Sequence, residues 1–121
     1  MALLLSPYYT LCLSKEAFHK ELKKCGVLRE SWPLFVNERA DATTHFLERQ
    51  GRLCAIVCVT PDRCVDQVEL YAILIHEAVH IWQQLCLDIH ESAPGEEVEA
   101  YAIQHLAEEL IREYLRQTEG A

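Results

Sequence analysis

His76-Glu77-Ala78-Val79-His80 is the stretch of this chain best equipped for chemistry. On a helix of 3.6 residues per turn, side chains at i and i+4 project about 40° apart, so both imidazoles can reach one ion. Zinc suits such a pair, because a catalytic zinc site takes three protein ligands and keeps a fourth position open. Glu77 stands beside the histidines, where a carboxylate can take a proton from water on the metal. Bound zinc lowers the pKa of that water toward about 7, which opens hydrolysis at neutral pH. The bland alternative is a His-Glu-His hydrogen-bond network in the core, or histidines lining a pocket without metal. Against it stands the surrounding helix, which is otherwise apolar. Burying two imidazoles and a carboxylate without partners costs several kcal/mol, and an ion with its water satisfies all three.

Further along, Glu96, Glu97 and Glu99 crowd the first turn of the next predicted helix. Acids there complement the helix dipole, so capping alone accounts for some of them. After a short loop the two helices are expected to run antiparallel, with this turn facing the histidine pair. Ala100, three residues after Glu97, would let them approach closely. Angular position puts Glu96 and Glu99 nearer the centre of the apolar stripe and Glu97 at its edge, beside Tyr101 and Gln104. A ligand belongs at the edge of a cleft, so Glu97 is the expected third ligand, with Glu99 as a partner that orients a histidine. The choice between the two stays open.

The elements that must position these residues follow from pattern. Tyr8 to Leu13 has strand composition, Ser14 caps a helix from Lys15 to about Cys25, and Gly26 stops it. Ala17, Phe18, Leu22 and Cys25 form its inward face. Residues 27 to 40 connect, with Trp32-Pro33 as a turn signal. Thr43 to Glu48 and Leu53 to Thr60 read as two strands joined at Gln50-Gly51 into an antiparallel hairpin. From about Val65 to Leu87 a helix apolar nearly all round is predicted to run buried through the domain. Pro94 is placed to open the last helix, which runs to about Arg116 with an apolar stripe of Ala100, Ile103, Leu106, Ala107, Leu110 and Tyr114. The expected fold is thus α+β: an N-terminal helix, an antiparallel hairpin or sheet, the helix bearing the histidines and a glutamate-bearing C-terminal helix. At 121 residues the chain, 1–121, fits one domain.

Composition narrows the partners. Nineteen acids against eleven bases give a net charge of -8, which repels phosphate and argues against nucleic acid. No apolar run of about 18 residues exists, so no membrane span is expected. Met1 to Leu5 is apolar but lacks a basic flank, and Pro7, Tyr8 and Tyr9 interrupt it, so it does not read as a signal peptide. The six cysteines are expected to be reduced and mostly structural, consistent with a cytoplasmic protein. Cys54, Cys58 and Cys64 lack the C-x-x-C spacing of a structural zinc site. His45 on the first hairpin strand reads as a packing or surface residue, His90 as a rim residue of the loop between the last two helices, and His105 as solvated.

His76-Glu77-Ala78-Val79-His80 followed by Glu97-Val98-Glu99-Ala100 resembles the zincin metallopeptidases of the glutamate-ligand type. Thr43-Thr44-His45-Phe46-Leu47, Ala55-Ile56-Val57-Cys58, His76 to Trp82 and Glu99 to Gln104 are together similar to a family of small phage and prophage proteins described as zinc metallopeptidases. The resemblance covers most of the chain. It implies zinc held by His76, His80 and Glu97, Glu77 as general base, and a peptide or protein substrate met in the host cytoplasm if the chain is phage-encoded. Tyr101 stands where larger relatives often carry Asp or Asn to support a ligand histidine; its hydroxyl could take that part or stabilise an oxyanion. In zincins a strand edge aligns the substrate, and Leu53 to Thr60 is the expected counterpart. A different class of function is a phage structural or host-interaction protein that keeps a zincin fold and a non-catalytic metal.

Overall fold

The computed structural model describes residues 8–88 and 95–119. Its elements are β1 (Tyr8–Cys12), α1 (Lys15–Lys24), β2 (Ala42–Arg49), β3 (Arg52–Val59), α2 (Gln67–Asp88) and α3 (Glu96–Thr118), with single 3₁₀ turns at Arg29–Ser31 and Pro61–Arg63. Local chemistry explains the boundaries. The Ala17 N–H donates to Ser14 Oγ at 3.1 Å at the start of α1. At its end Gly26 adopts φ +78°, Gly26 N–H donates to the Lys23 carbonyl, and Val27 N–H reaches back to that of Leu22. This Schellman arrangement needs a residue that tolerates positive φ, and Gly26 supplies it. Gln50 at φ +55° and Gly51 at φ +76° make the two-residue turn between β2 and β3. Positive φ at both central residues gives the turn whose twist matches that of the strands.

The sheet order is β1-β3-β2, with β2 antiparallel and β1 parallel to β3. Alternation along the strands divides the core in two. Ala55, Val57 and Val59 of β3 pack with Leu70, Leu74 and Ile81 of α2 and with Leu106 and Leu110 of α3. Ile56 and Cys58 point the other way, onto Phe18 and Leu22 of α1. The protein is therefore a mixed α+β structure in which a three-stranded sheet lies between α1 and the α2–α3 pair.

Two expectations are corrected here. The strand run beginning at Leu53 is not an edge: β3 is hydrogen-bonded on both sides, which is why all six residues from Cys54 to Val59 are buried. Among the described residues the outer strands are β1 and β2, and it is β2 that Thr44 joins to Glu77 of the histidine helix. Nor is α2 buried all round. Val68 is 74% exposed and Leu87 69%, and Ile75 is also exposed. One side of α2 covers the sheet, a second meets α3, and no described element covers the rest. Hydrophobicity in sequence does not reveal how many neighbours a helix will have.

Candidate functional site

Contrary to the expected burial, His76 and His80 are both exposed, so the cost of burying their imidazoles does not argue for an ion. They lie one turn apart on α2, with Nε2 atoms 3.1 Å apart and rings set edge to face at 4.7 Å between centroids. Two nitrogens each about 2.05 Å from a tetrahedral zinc ion stand about 3.3 Å apart, so the observed separation suits one shared ion. A hydrogen bond from one ring to the other fits the same distance and is the metal-free alternative. Nδ1 of His80 lies 3.3 Å from Gln83 Oε1; a proton on Nδ1 donated to that oxygen would leave the Nε2 lone pair for a metal. As a donor set, the pair fits zinc.

Glu77 takes the opposite course. It is 5% exposed, and Thr44 Oγ1 on β2 donates to its Oε1 at 2.6 Å. One residue beyond His76 means about 100° around the helix, which carries Glu77 from the solvent side toward the sheet. The carboxylate is thus held from below while the imidazoles stand beside it. Thr44 is a partner of the candidate site that the sequence does not single out. Its signal was register: Thr44 shares the inward face of β2 with Ala42 and Phe46, which pack against the α2–α3 core, and a hydroxyl there requires a polar partner.

The acidic first turn of α3 is placed differently from expectation. Glu99 Oε2 accepts a 2.9 Å hydrogen bond from Trp82 Nε1, so Glu99 orients a tryptophan and not a histidine. Trp82 follows His80 by two residues, about 160° around α2; the face that receives α3 is therefore turned away from the one that carries His80. Glu97 precedes Glu99 by two residues and is exposed, as are Glu96, Ala100 and Tyr101, the last at 67%. Among the described residues no group of three or more His, Cys, Asp or Glu side chains is assembled to hold an ion. The structure thus brings together His76 and His80 with Glu77 next to them in sequence, and it does not gather Glu97 with them into a ligand group; Tyr101 is exposed on α3. The small residues buried where α2 and α3 meet the core are Ala78 and Ala107 rather than Ala100.

The other polar candidates have structural explanations. His45 stacks on Phe18 at 4.7 Å, and its Nε2 meets the Phe35 carbonyl at 3.0 Å; it packs on the α1 side, across the sheet from Glu77. His105 is exposed, and His90 lies outside the described residues. Cys12 and Cys58 face each other across β1 and β3, both buried. A hydrogen bond with Cys12, then burial, holds the Cys58 thiol far above the ordinary thiol range. That makes it a core residue and a poor ligand, since only the thiolate binds metal.

No protein-family model, curated protein or solved structure matches the chain. The functional reading therefore rests on the site itself. No helix among the described residues is long and apolar enough to cross a membrane.

Proposed function

We propose that the protein is a zinc-dependent peptidase of the zincin kind. The observation that carries this reading is the exposed His76–His80 pair, 3.1 Å apart at Nε2, beside a carboxylate fixed by Thr44. Zinc, when bound, would polarise the peptide carbonyl and acidify a water molecule. His76 and His80 would hold it, and Gln83 would keep the His80 ring in the tautomer that binds. Glu77 would accept the proton from water and return it to the leaving amine, its other oxygen anchored by Thr44. Glu97 enters as third ligand, and Tyr101 as support for a ligand or an oxyanion, on the resemblance alone. Among the described residues the edge of β2 away from β3 pairs with no strand; it lies on the Glu77 side of α2 and would offer an extended peptide a line of backbone donors and acceptors. A cytoplasmic setting belongs to the same proposal.

One observation favours a second reading, an interaction protein with a non-catalytic metal: Glu77 is so well buried that it serves the fold whether or not it serves catalysis. Glu77→Gln separates the two. Wild-type protein loaded with zinc is expected to generate new termini in an unstructured protein substrate, and the variant is expected to bind zinc and generate none. Equal cleavage by both, or none by the zinc-loaded wild type, overturns the peptidase reading.

A further inference from the structure

An open pocket of about 410 Å³ lies at the turn end of the β2–β3 hairpin, between Phe46, Glu48, Leu53 and Gln84. Its relation to the histidines follows from helix geometry. Gln84 comes one turn after His80 and two after Glu77, about 6 Å and about 10.5 Å along α2. It also lies on the same side of the helix as Glu77, the side facing β2. Register agrees from the strand: Thr44, Phe46 and Glu48 share one face of β2, and Leu53 is paired with Glu48. Thr44 meets Glu77, and four residues further along β2 Glu48 lines the pocket with Gln84. Along both β2 and α2 the pocket thus follows the site in the same direction.

The lining specifies an occupant. Phe46 and Leu53 give apolar walls, Glu48 gives a carboxylate at the exposed rim, and no Lys or Arg lines the pocket. A side chain with a long aliphatic stem and a cationic head matches both parts, the stem along the apolar wall and the head at the carboxylate. The wider field points the same way. The chain has a net charge of -8, and the two bases of the hairpin turn, Arg49 and Arg52, do not line the pocket. Such a surface draws cationic peptides. An extended peptide repeats its side chains on one side every ~6.8 Å, close to the spacing between His80 and Gln84.

We propose that this pocket is a specificity site for a Lys or Arg side chain of the substrate, about two to four residues from the scissile bond, with Glu48 as the discriminating residue. The inference rests on the peptidase reading for its role, but not for its test. Nuclear magnetic resonance titrations of metal-free protein with N-acetyl-arginine methylamide, and with its norleucine and glutamate counterparts, read the pocket directly. The arginine probe is expected to shift the amides of Phe46, Leu53 and Gln84, and to bind about fivefold more tightly than norleucine. Glu48→Gln should remove that advantage, and Glu48→Lys should transfer it to the glutamate probe. Arginine and norleucine binding equally, or shifts elsewhere only, overturn the proposal. Cleavage of a peptide library by zinc-loaded protein then separates the two claims. Pocket binding without Glu77-dependent cleavage leaves the pocket standing and removes the peptidase reading. Cleavage with no basic preference, or with a preference that Glu48→Gln does not alter, removes the specificity claim and leaves the peptidase.

Discussion

Thr44 and Glu77, 33 residues apart in sequence, are joined by a 2.6 Å hydrogen bond that ties the histidine helix to the strand beneath it. The bond satisfies a buried carboxylate and fixes the direction in which it points. Removing the donor alone leaves that carboxylate under-partnered. Thr44→Val, which keeps the shape, is expected to cost about 1–3 kcal/mol in urea denaturation. Thr44→Ser should restore most of it. In the zinc-loaded protein the same pair should separate in kcat more than in KM, since the bond orients the base rather than the substrate.

The indole of Trp82 and the carboxylate of Glu99 join α2 to α3 on the face turned away from His80. Trp82→Phe removes the donor and keeps much of the apolar packing, so a loss of about 1 kcal/mol in thermal or urea unfolding is expected. Zinc affinity, measured by competition with a chromophoric chelator, should be unchanged. A large drop in affinity would show that Glu99 communicates with the histidines.

Glu97→Gln tests the third ligand apart from the pair. If Glu97 completes the site, affinity falls by at least tenfold, about 1.4 kcal/mol, while stability without zinc stays the same because the residue is exposed. Unchanged affinity removes Glu97 from the ligand set and leaves the histidines in it.

The paired thiols of the core give a pH dependence away from the site. Hydrogen bonding to Cys12 and burial hold the Cys58 thiol up while the same contact lowers that of Cys12, so the folded pair keeps one proton through the range near pH 8.5 in which an unfolded chain loses two. A thiol whose pKa is raised on folding stabilises fully below the unfolded value. That contribution is lost as pH climbs from there toward the folded value. Stability should therefore decline above about pH 8.5, and a thiol reagent should modify Cys25 and Cys64 well before the buried Cys12, Cys54 and Cys58. Rapid modification of all six in the native protein would contradict this packing.

Legibility in the sequence followed locality. Ser14, Gly26 and the Gln50-Gly51 turn act on their own neighbours, and the elements they bound lie where pattern put them. The His76–His80 pair was legible because helical spacing alone brings i and i+4 together. What depended on distant partners was not. β1 pairs with β3 in parallel, each residue with one more than 40 positions further along the chain, and that pairing turned the expected edge strand into the central one. The direction of Glu99 depended on Trp82, and the anchoring of Glu77 on Thr44. In each case the partner lies on another element, at a distance no periodicity reports.

The claim on which the functional reading stands is that His76 and His80 bind one metal ion together. Isothermal titration of metal-stripped protein with zinc, repeated on His76→Ala and His80→Ala, measures this most directly. One zinc ion per wild-type chain is expected, with either substitution abolishing the binding while the circular dichroism spectrum is preserved. Wild-type protein that takes up no zinc, or single variants that bind it as tightly as wild type, would contradict the metal site and the peptidase reading with it.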